Sequence, residues 1–302
     1  MRIAIASCNF VPASFTDDER LAGALTALDA VVEIVPWDRE GTRWDRFDLV
    51  VVRSTWDYAS RRDEFVGWAE SVGPHLCNGA GLIRWNSDKR YLADLARSGI
   101  RVVDTEYLPP GSRAPAIEHE VVVKPAVSGG ARDTGRFTPA RAAEAHELIA
   151  AIHGAGKTAM LQPYNASVDA LGETAVVMID GAFSHALRKG AVLRPDEVAP
   201  VRDDGLGAAE IMYDGDLVGP GAASELELRA ARDVVAELEH RFGERPLYAR
   251  VDLLADGEGE PEVIELEAVE PNLYHDHAPG SAERFARAIV RRAQTAGARP
   301  DR

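Results

Sequence analysis

The chain has 302 residues, 46% of them apolar and 27% charged, which suits two or three packed domains of a soluble globular protein. Its formal charge of −15 argues against non-specific nucleic-acid or anionic-membrane partners, since both need a basic surface, and leaves room for a locally positive pocket. No apolar run approaches the ~20 residues of a membrane span. Cys8 and Cys77 stand alone, which excludes a disulfide framework or a zinc site and points to the cytoplasm.

In chain order, residues 2–7 read as a strand and not as a signal peptide, because one Arg and a short apolar run lead into Asp17-Asp18-Glu19-Arg20. Cys8, just past this strand, reads as a buried or pocket-wall residue ahead of a catalytic thiol. Residues 17–28 form a helix with Leu21, Leu25 and Leu28 on one side, and 31–35 a strand. Residues 47–53 (FDLVVVR) make an apolar strand, and 63–72 a helix bearing Phe65, Trp68 and Ala69. This alternation predicts an α/β unit, a parallel sheet with helices on both faces. All five tryptophans fall within the first 85 residues, so a boundary is expected near a helix starting around Ser87. The next segment is α+β: strands 102–108, 120–125, 135–138 and 159–164, with a helix over 139–153. Strands 173–179 and 182–189 are joined by Asp180-Gly181, a two-residue hairpin signal. Residues 191–222, rich in Gly, Asp and Pro, read as a long mobile loop, of the kind that serves as a lid or is disordered. Helices 223–242 and 282–294 flank a last hairpin, 247–254 with 262–269. The expected division is 1–86, 87–163 and 164–302.

That last hairpin carries the most chemistry. Side chains alternate along a strand, so Arg250 and Asp252 share a face, as do Glu265 and Glu267. If the strands pair, three carboxylates and one Arg converge. Like charges in cross-strand contact need a compensating cation, and magnesium takes carboxylate oxygens together with phosphates. A solvated acidic edge is the plain alternative. Upstream, a β-run ends in Lys124-Pro125 and runs into Ser128-Gly129-Gly130. Glycines let backbone N–H groups approach phosphate, and a Lys adds a point charge; a flexible hairpin tip is the alternative. Ser87 or Asn86 caps a helix whose first turn holds Lys89, a place that suits a cation only when an anion sits there. Only four lysines occur (Lys89, Lys124, Lys157 and Lys189) against 30 arginines, so a surviving Lys suggests a compact ammonium was needed.

The order of these signals resembles the ATP-grasp superfamily over nearly the whole chain: Lys89, strand-Lys124-Pro with its Gly-rich loop, Met160-Leu161-Gln162-Pro163-Tyr164, Gly172-Glu173, Arg250-x-Asp252 and Glu265-x-Glu267. The resemblance implies three subdomains, with ATP between two α+β units. Lys89 and Lys124 then contact phosphates beneath Ser128, Gly129 and Gly130. Gln162, Pro163 and Tyr164 hold adenine, and Glu173 or its rival Asp169 holds ribose. Asp252, Glu265 and Glu267 bind magnesium, with two ions expected. The commonest pattern of the superfamily ends Glu-x-Asn, so Glu267 departs from it, and Asn272 is a further ligand or a turn residue. The phrases VVVRSTWDY, RWNSDKRYLADLARSGI, FSHALRK and ELEAVEPNLY are similar to the subgroup that cyclises O-ureido-D-serine in cycloserine biosynthesis.

The implied chemistry is carboxylate activation as an acyl phosphate, followed by attack of a nitrogen nucleophile, with Arg250, Lys124 and Lys189 stabilising charge. Arg53, Ser54, Thr55, Trp56 and Tyr58 follow a buried strand where a small amino-acid-like substrate is expected, with Asn272 opposite; Trp56 and Tyr58 packing between domains is the alternative. Lys157 reads as exposed and His185 as pocket wall. An intermolecular amino-acid ligase and a non-catalytic nucleotide-binding module are the competing functions, and homo-oligomerisation is left open. A nicotinamide enzyme is disfavoured because Ala6-Ser7-Cys8-Asn9 stands where GxGxxG belongs.

Overall fold

The computed structural model describes residues 1–12, 15–200 and 206–297. The first unit contains β1 (Arg2–Ser7), α1 (Asp17–Thr26), β2 (Val31–Pro36), β3 (Leu49–Val52), α2 (Arg62–Val72) and β4 (Leu76–Cys77). Its strands form a parallel sheet ordered β2-β1-β3-β4. Ile3, Ile5 and Val51 face Leu21 and Leu25 of α1, while Ala4, Ala6, Val50 and Val52 face Phe65 and Ala69 of α2. Burial on both faces is why these strands read as unbroken apolar runs.

Then come α3 (Ala80–Asn86), α4 (Tyr91–Arg97), β5 (Glu106–Leu108), β6 (Val121–Pro125), β7 (Gly135–Phe137), α5 (Ala142–Gly154), β8 (Ala159–Pro163) and α6 (Ser167–Leu171). β9 (Glu173–Ile179), β10 (Ala182–Lys189), β11 (Glu197–Val198), β12 (Val218–Gly221), α7 (Glu225–Phe242), β13 (Tyr248–Ala255), β14 (Pro261–Glu267) and α8 (Ser281–Gly297) complete the order. Two antiparallel sheets result, β11-β7-β6-β8-β5 and β12-β10-β9-β13-β14. On the first, Val121 and Val123 pack on Ala145 and Ile149 of α5, which turns Lys124 to the opposite face. On the second, Val176, Met178, Val251 and Leu253 pack on Ala231, Val234 and Leu238 of α7. Its other face is apolar where Val177 and Tyr248 meet Phe285 of α8, and charged towards Glu173, Lys189, Arg250 and Asp252. α8 returns to pack on the first sheet, so both chain ends share one core.

Several expectations need correction. Lys89 lies in the turn between α3 and α4, not in a helix, because α3 ends at Asn86 and its amide bonds to the Ala126 carbonyl at 2.8 Å. The strand expected over 102–108 shortens to β5, with a bridge from Val102 to Val263. Helices α3 and α6 and the two-residue β4 were not anticipated. The stretch 191–222 is not a featureless loop. It reaches across as β11 to pair with β7, continues through a 3-10 turn, Glu210–Tyr213, and ends as β12; its residues 201–205 lie outside the described residues. The Asp180-Gly181 hairpin is present, with both residues at positive φ (50° and 79°).

Gly172 opens β9 at φ +66°, and a Cβ there would lie 2.3 Å from the Lys189 carbonyl oxygen. The Gly172→Ala substitution is therefore expected to lower unfolding free energy by at least about 2 kcal/mol, measured by urea denaturation. An unchanged midpoint would contradict this close approach.

Candidate active site

The two antiparallel sheets enclose a cleft of about 500 Å³, and the first unit contributes Trp56 and Tyr58 to its wall. The charged face of the second sheet forms the floor. β13 and β14 pair with Arg250 opposite Glu267 and Asp252 opposite Glu265, and a bulge follows Asp252. This register places one oxygen of each of Asp252, Glu265 and Glu267 within 4.8 Å of the others.

Asp252 is fully buried. Arg250 donates to its two oxygens at 2.8 and 2.9 Å, and Lys189 donates at 2.7 Å. Burial raises the carboxyl, but Arg250 and Lys189 outweigh it and hold it below its ordinary value. Arg250 also donates to Glu267 (2.6 Å) and to the Asn272 carbonyl (3.0 Å). Lys189 also donates to Glu173 at 2.8 Å, its cross-strand neighbour. Glu265 is likewise held low, because Lys89, Lys124 and Lys189 overcome burial. Lys89 lies 3.2 Å from Glu265 and donates to the Ser128 carbonyl at 2.6 Å.

Lys124 differs. No hydrogen-bond or ion-pair partner reaches its ammonium among the described residues, and burial pushes its pKa down despite Glu265. A cation kept in a cleft without a partner is suited to an incoming anion. Beside it, Ser128 Oγ donates to the Arg132 carbonyl at 2.9 Å, and Gly130 (φ +60°) lets Ala208 approach so closely that a Cβ would lie 2.8 Å from the alanine's own. The Gly-rich turn is thus covered by the segment reaching over from the second sheet.

Comparison with known proteins accords with this geometry. Residues 3–78 match the family model of the D-cycloserine synthetase DcsG N-terminal domain. The chain is 35% identical over 285 residues to the cycloserine biosynthesis protein DcsG of Streptomyces lavendulae, covering 90% of this chain and 92% of that protein. It belongs to the D-cycloserine synthetase family. The crystal structure of D-cycloserine synthetase DcsG superposes with a TM-score of 0.85 at 31% identity, over 97% of this chain and all of that one. The D-alanine–D-alanine ligase of Bacillus anthracis superposes at 0.68 with 15% identity over 98% of both chains, a likeness of fold. The fold is ATP-grasp, and the chain is an ATP-dependent carbon–nitrogen ligase of a fold that uses ATP and a divalent metal. The donor set fits such an ion, with three carboxylates converging and only oxygens offered.

For this D-cycloserine synthetase relative, most sequence-derived residues meet at the cleft. Lys89, Lys124, Ser128, Gly129, Gly130, Gln162, Pro163, Tyr164, Glu173, Lys189, Arg250, Glu265, Glu267, Trp56, Tyr58 and Asn272 all line it, and Asp252 lies beneath. Four do not. Arg53 is buried, donating to the Pro271 carbonyl at 2.8 Å and stacked near the Tyr248 and Phe285 rings, so it fastens the first unit to the second sheet. Ser54 donates to Asp18, and Thr55 is fully buried. Asp169 turns away, held by Arg136 at 2.9 and 3.1 Å and by the Tyr164 hydroxyl at 2.6 Å, which leaves Glu173 as the ribose candidate at the cleft. Asn272 lines the cleft and also shapes the turn, its Oδ1 accepting the Tyr274 amide at 3.0 Å. Cys8 and Cys77 are buried free thiols raised by burial, and His185 is a buried imidazole bonded to the Leu273 carbonyl.

Two residues escaped sequence reasoning. Arg136, on β7, also donates to Glu120 and lies 3.5 Å over the Tyr164 ring, bracing that end of the cleft. Glu270 lies past the end of β14, where strand alternation no longer places side chains. Burial, and next Glu267, push its carboxyl up to about 8, against the pull of Lys89.

Glu270 holds its proton in the folded chain up to about pH 8, whereas the unfolded chain loses it nearer the ordinary value of 4.5, so its contribution to stability falls as pH rises between the two. Glu270→Gln removes this titration. Its stability relative to wild type, followed by urea denaturation, is expected to grow by roughly 1–3 kcal/mol from pH 5 to 8. A difference independent of pH would contradict the placement.

Proposed function

We propose that the enzyme closes O-ureido-D-serine to D-cycloserine in a cytoplasmic biosynthetic step, using ATP and two magnesium ions. The observation that carries the reading is the meeting of four cations in the cleft, Lys89 from the α3–α4 turn, Lys124 from the first antiparallel sheet, and Lys189 and Arg250 from the second: three of them pair with Glu173, Asp252, Glu265 and Glu267, and Lys124 has no partner among the described residues. Family membership supplies the substrate class, since the curated relative acts in cycloserine biosynthesis.

In this reading Lys89 and Lys124 receive nucleotide phosphates beneath Ser128, Gly129 and Gly130, adenine lies against Gln162, Pro163 and Tyr164, and Glu173 meets ribose. Asp252, Glu265 and Glu267 hold magnesium, which supplies charge neutralisation at the phosphate oxygens. A substrate carboxylate oxygen attacks the γ-phosphorus, the bond to the β–γ bridging oxygen breaks, and ADP leaves. Lys124 and Arg250 offset the charge on the transferring group. The ureido nitrogen bound to oxygen then attacks the acyl carbon, phosphate departs, and the ring closes. Water then removes the carbamoyl group as carbamate. Tying nucleophile and electrophile into one molecule raises their effective concentration. A single copy carries all the named groups, so oligomerisation is not required.

With ATP and magnesium, O-ureido-D-serine is expected to yield ADP, phosphate and D-cycloserine in equal amounts. Lys124→Met and Glu265→Gln should each lower kcat by at least about 100-fold with wild-type thermal melts. ADP release that requires an added amine or second amino acid would replace cyclisation by intermolecular ligation, and no release with O-ureido-D-serine would overturn the reading.

A further inference from the structure

The cleft holds a carboxylate that the reaction above leaves unused. Glu173 is paired with Lys189, Glu265 with Lys89, Glu267 with Arg250, and Asp214 accepts the Asp216 amide. Glu270 also lines the cleft, yet no side chain among the described residues comes within hydrogen-bond or ion-pair distance of its carboxyl. Aromatic residues stand beside it: the Trp56 indole donates to the Glu270 backbone carbonyl at 3.3 Å, Phe15 meets Trp56 edge-on with ring centroids 4.6 Å apart, and among neighbouring charges Glu270 acts most strongly on the buried Tyr58 phenol.

The backbone here is rigidly placed. Arg53 holds the carbonyl of residue 271 from the first unit, and Arg250 holds that of residue 272 from the sheet floor. Glu270 is therefore presented where the first unit meets the metal hairpin, three residues beyond Glu267. A carboxyl with no side-chain partner, ionised by the approach of a cation, is complementary to a small ammonium group, which gains a charge-assisted hydrogen bond there. Arg250 on the sheet floor and Glu270 beside the first unit offer opposite charges, which a zwitterion can meet in one orientation.

We propose that Glu270, with Trp56 and Tyr58, is the specificity subsite for the cationic amino group of the substrate, selecting an amino acid over a plain carboxylic acid. The inference rests on the ligase reading above and adds a direction to it: the reacting carboxylate towards Arg250, the ammonium towards the first unit.

The test compares O-ureido-D-serine with its analogue lacking the amino group, 3-(ureidooxy)propanoate, on the full-length enzyme with ATP and magnesium. Wild type should prefer the amino compound in kcat/KM by roughly 10- to 100-fold, the value of one charge-assisted contact. Glu270→Gln should lose that preference through KM for the amino compound, leaving KM for ATP and the rate with the analogue near wild type. Glu270→Asp should keep part of it. Equal preference in wild type and Glu270→Gln would overturn the proposal, as would parallel loss with both compounds. Calorimetric titration with D-cycloserine, which carries the same amino group, judges Glu270 without turnover. Weaker binding to Glu270→Gln supports the subsite even if O-ureido-D-serine proves not to be the substrate, and equal binding, or none by either protein, overturns it.

Discussion

Asp252 has no exposed surface, and a carboxylate so placed is tolerable only if its charge is met on the spot. The bidentate Arg250 contact and the Lys189 ammonium meet it, and the same two cations then reach outward to Glu267, the Asn272 carbonyl and Glu173. The floor of the cleft is thus one connected network. Removing any single member strands a buried charge, a loss that outweighs the modest net worth of each pair. The network also explains why Glu stands at position 267: a charged partner satisfies the arm of Arg250 that an amide would meet more weakly.

Such a network needs the two hairpin strands in fixed register, and β14 is an edge strand. Its free backbone groups are nonetheless occupied. The Leu266 amide donates to the Tyr91 hydroxyl and its carbonyl accepts from Asn86; the Ala268 amide donates to Asn86 and its carbonyl accepts from Asn78. Buried side chains from β4, α3 and α4 therefore do for the outer edge what another strand would do. Asn78 also receives the Leu247 amide and donates to the Tyr248 carbonyl, so β13 and β14 are both fastened to the first unit. Arg53 adds a third tie. Asn78 and Arg53 beside the first sheet, together with Asn86 and Tyr91 of α3 and α4, hold Glu265 and Glu267 at their spacing.

Much of this was legible in the sequence because period-2 alternation is a local rule. Arg250, Asp252, Glu265 and Glu267 were assigned to one surface from their spacing, and the pairing of 250 with 267 and 252 with 265 follows that pattern. The scarcity of lysine drew attention to four lysines, of which Lys89, Lys124 and Lys189 line the cleft and Lys157 does not. What alternation could not reach lies outside regular strands. Arg53, Ser54 and Thr55 leave β3 in a turn whose direction depends on α1 and the second sheet, so their polar character suggested ligand contact where the structure uses them as fasteners. Asp169 and Glu173 were indistinguishable without knowing that Arg136 lies across the sheet. Residues 191–222 looked like coil because β11 and β12 are short and take their partners from distant strands. Glu270 was passed over since nothing in its neighbours' spacing announces a lone carboxyl.

Acyl-phosphate activation requires that a substrate carboxyl oxygen be phosphorylated. O-ureido-D-serine carrying oxygen-18 in both carboxyl positions, turned over with unlabelled ATP, reads this out by mass spectrometry. One label should appear in inorganic phosphate and one in the D-cycloserine carbonyl. Phosphate free of label, with D-cycloserine still formed, would contradict acyl-phosphate activation and the roles assigned to Lys124, Arg250 and the carboxylate cluster.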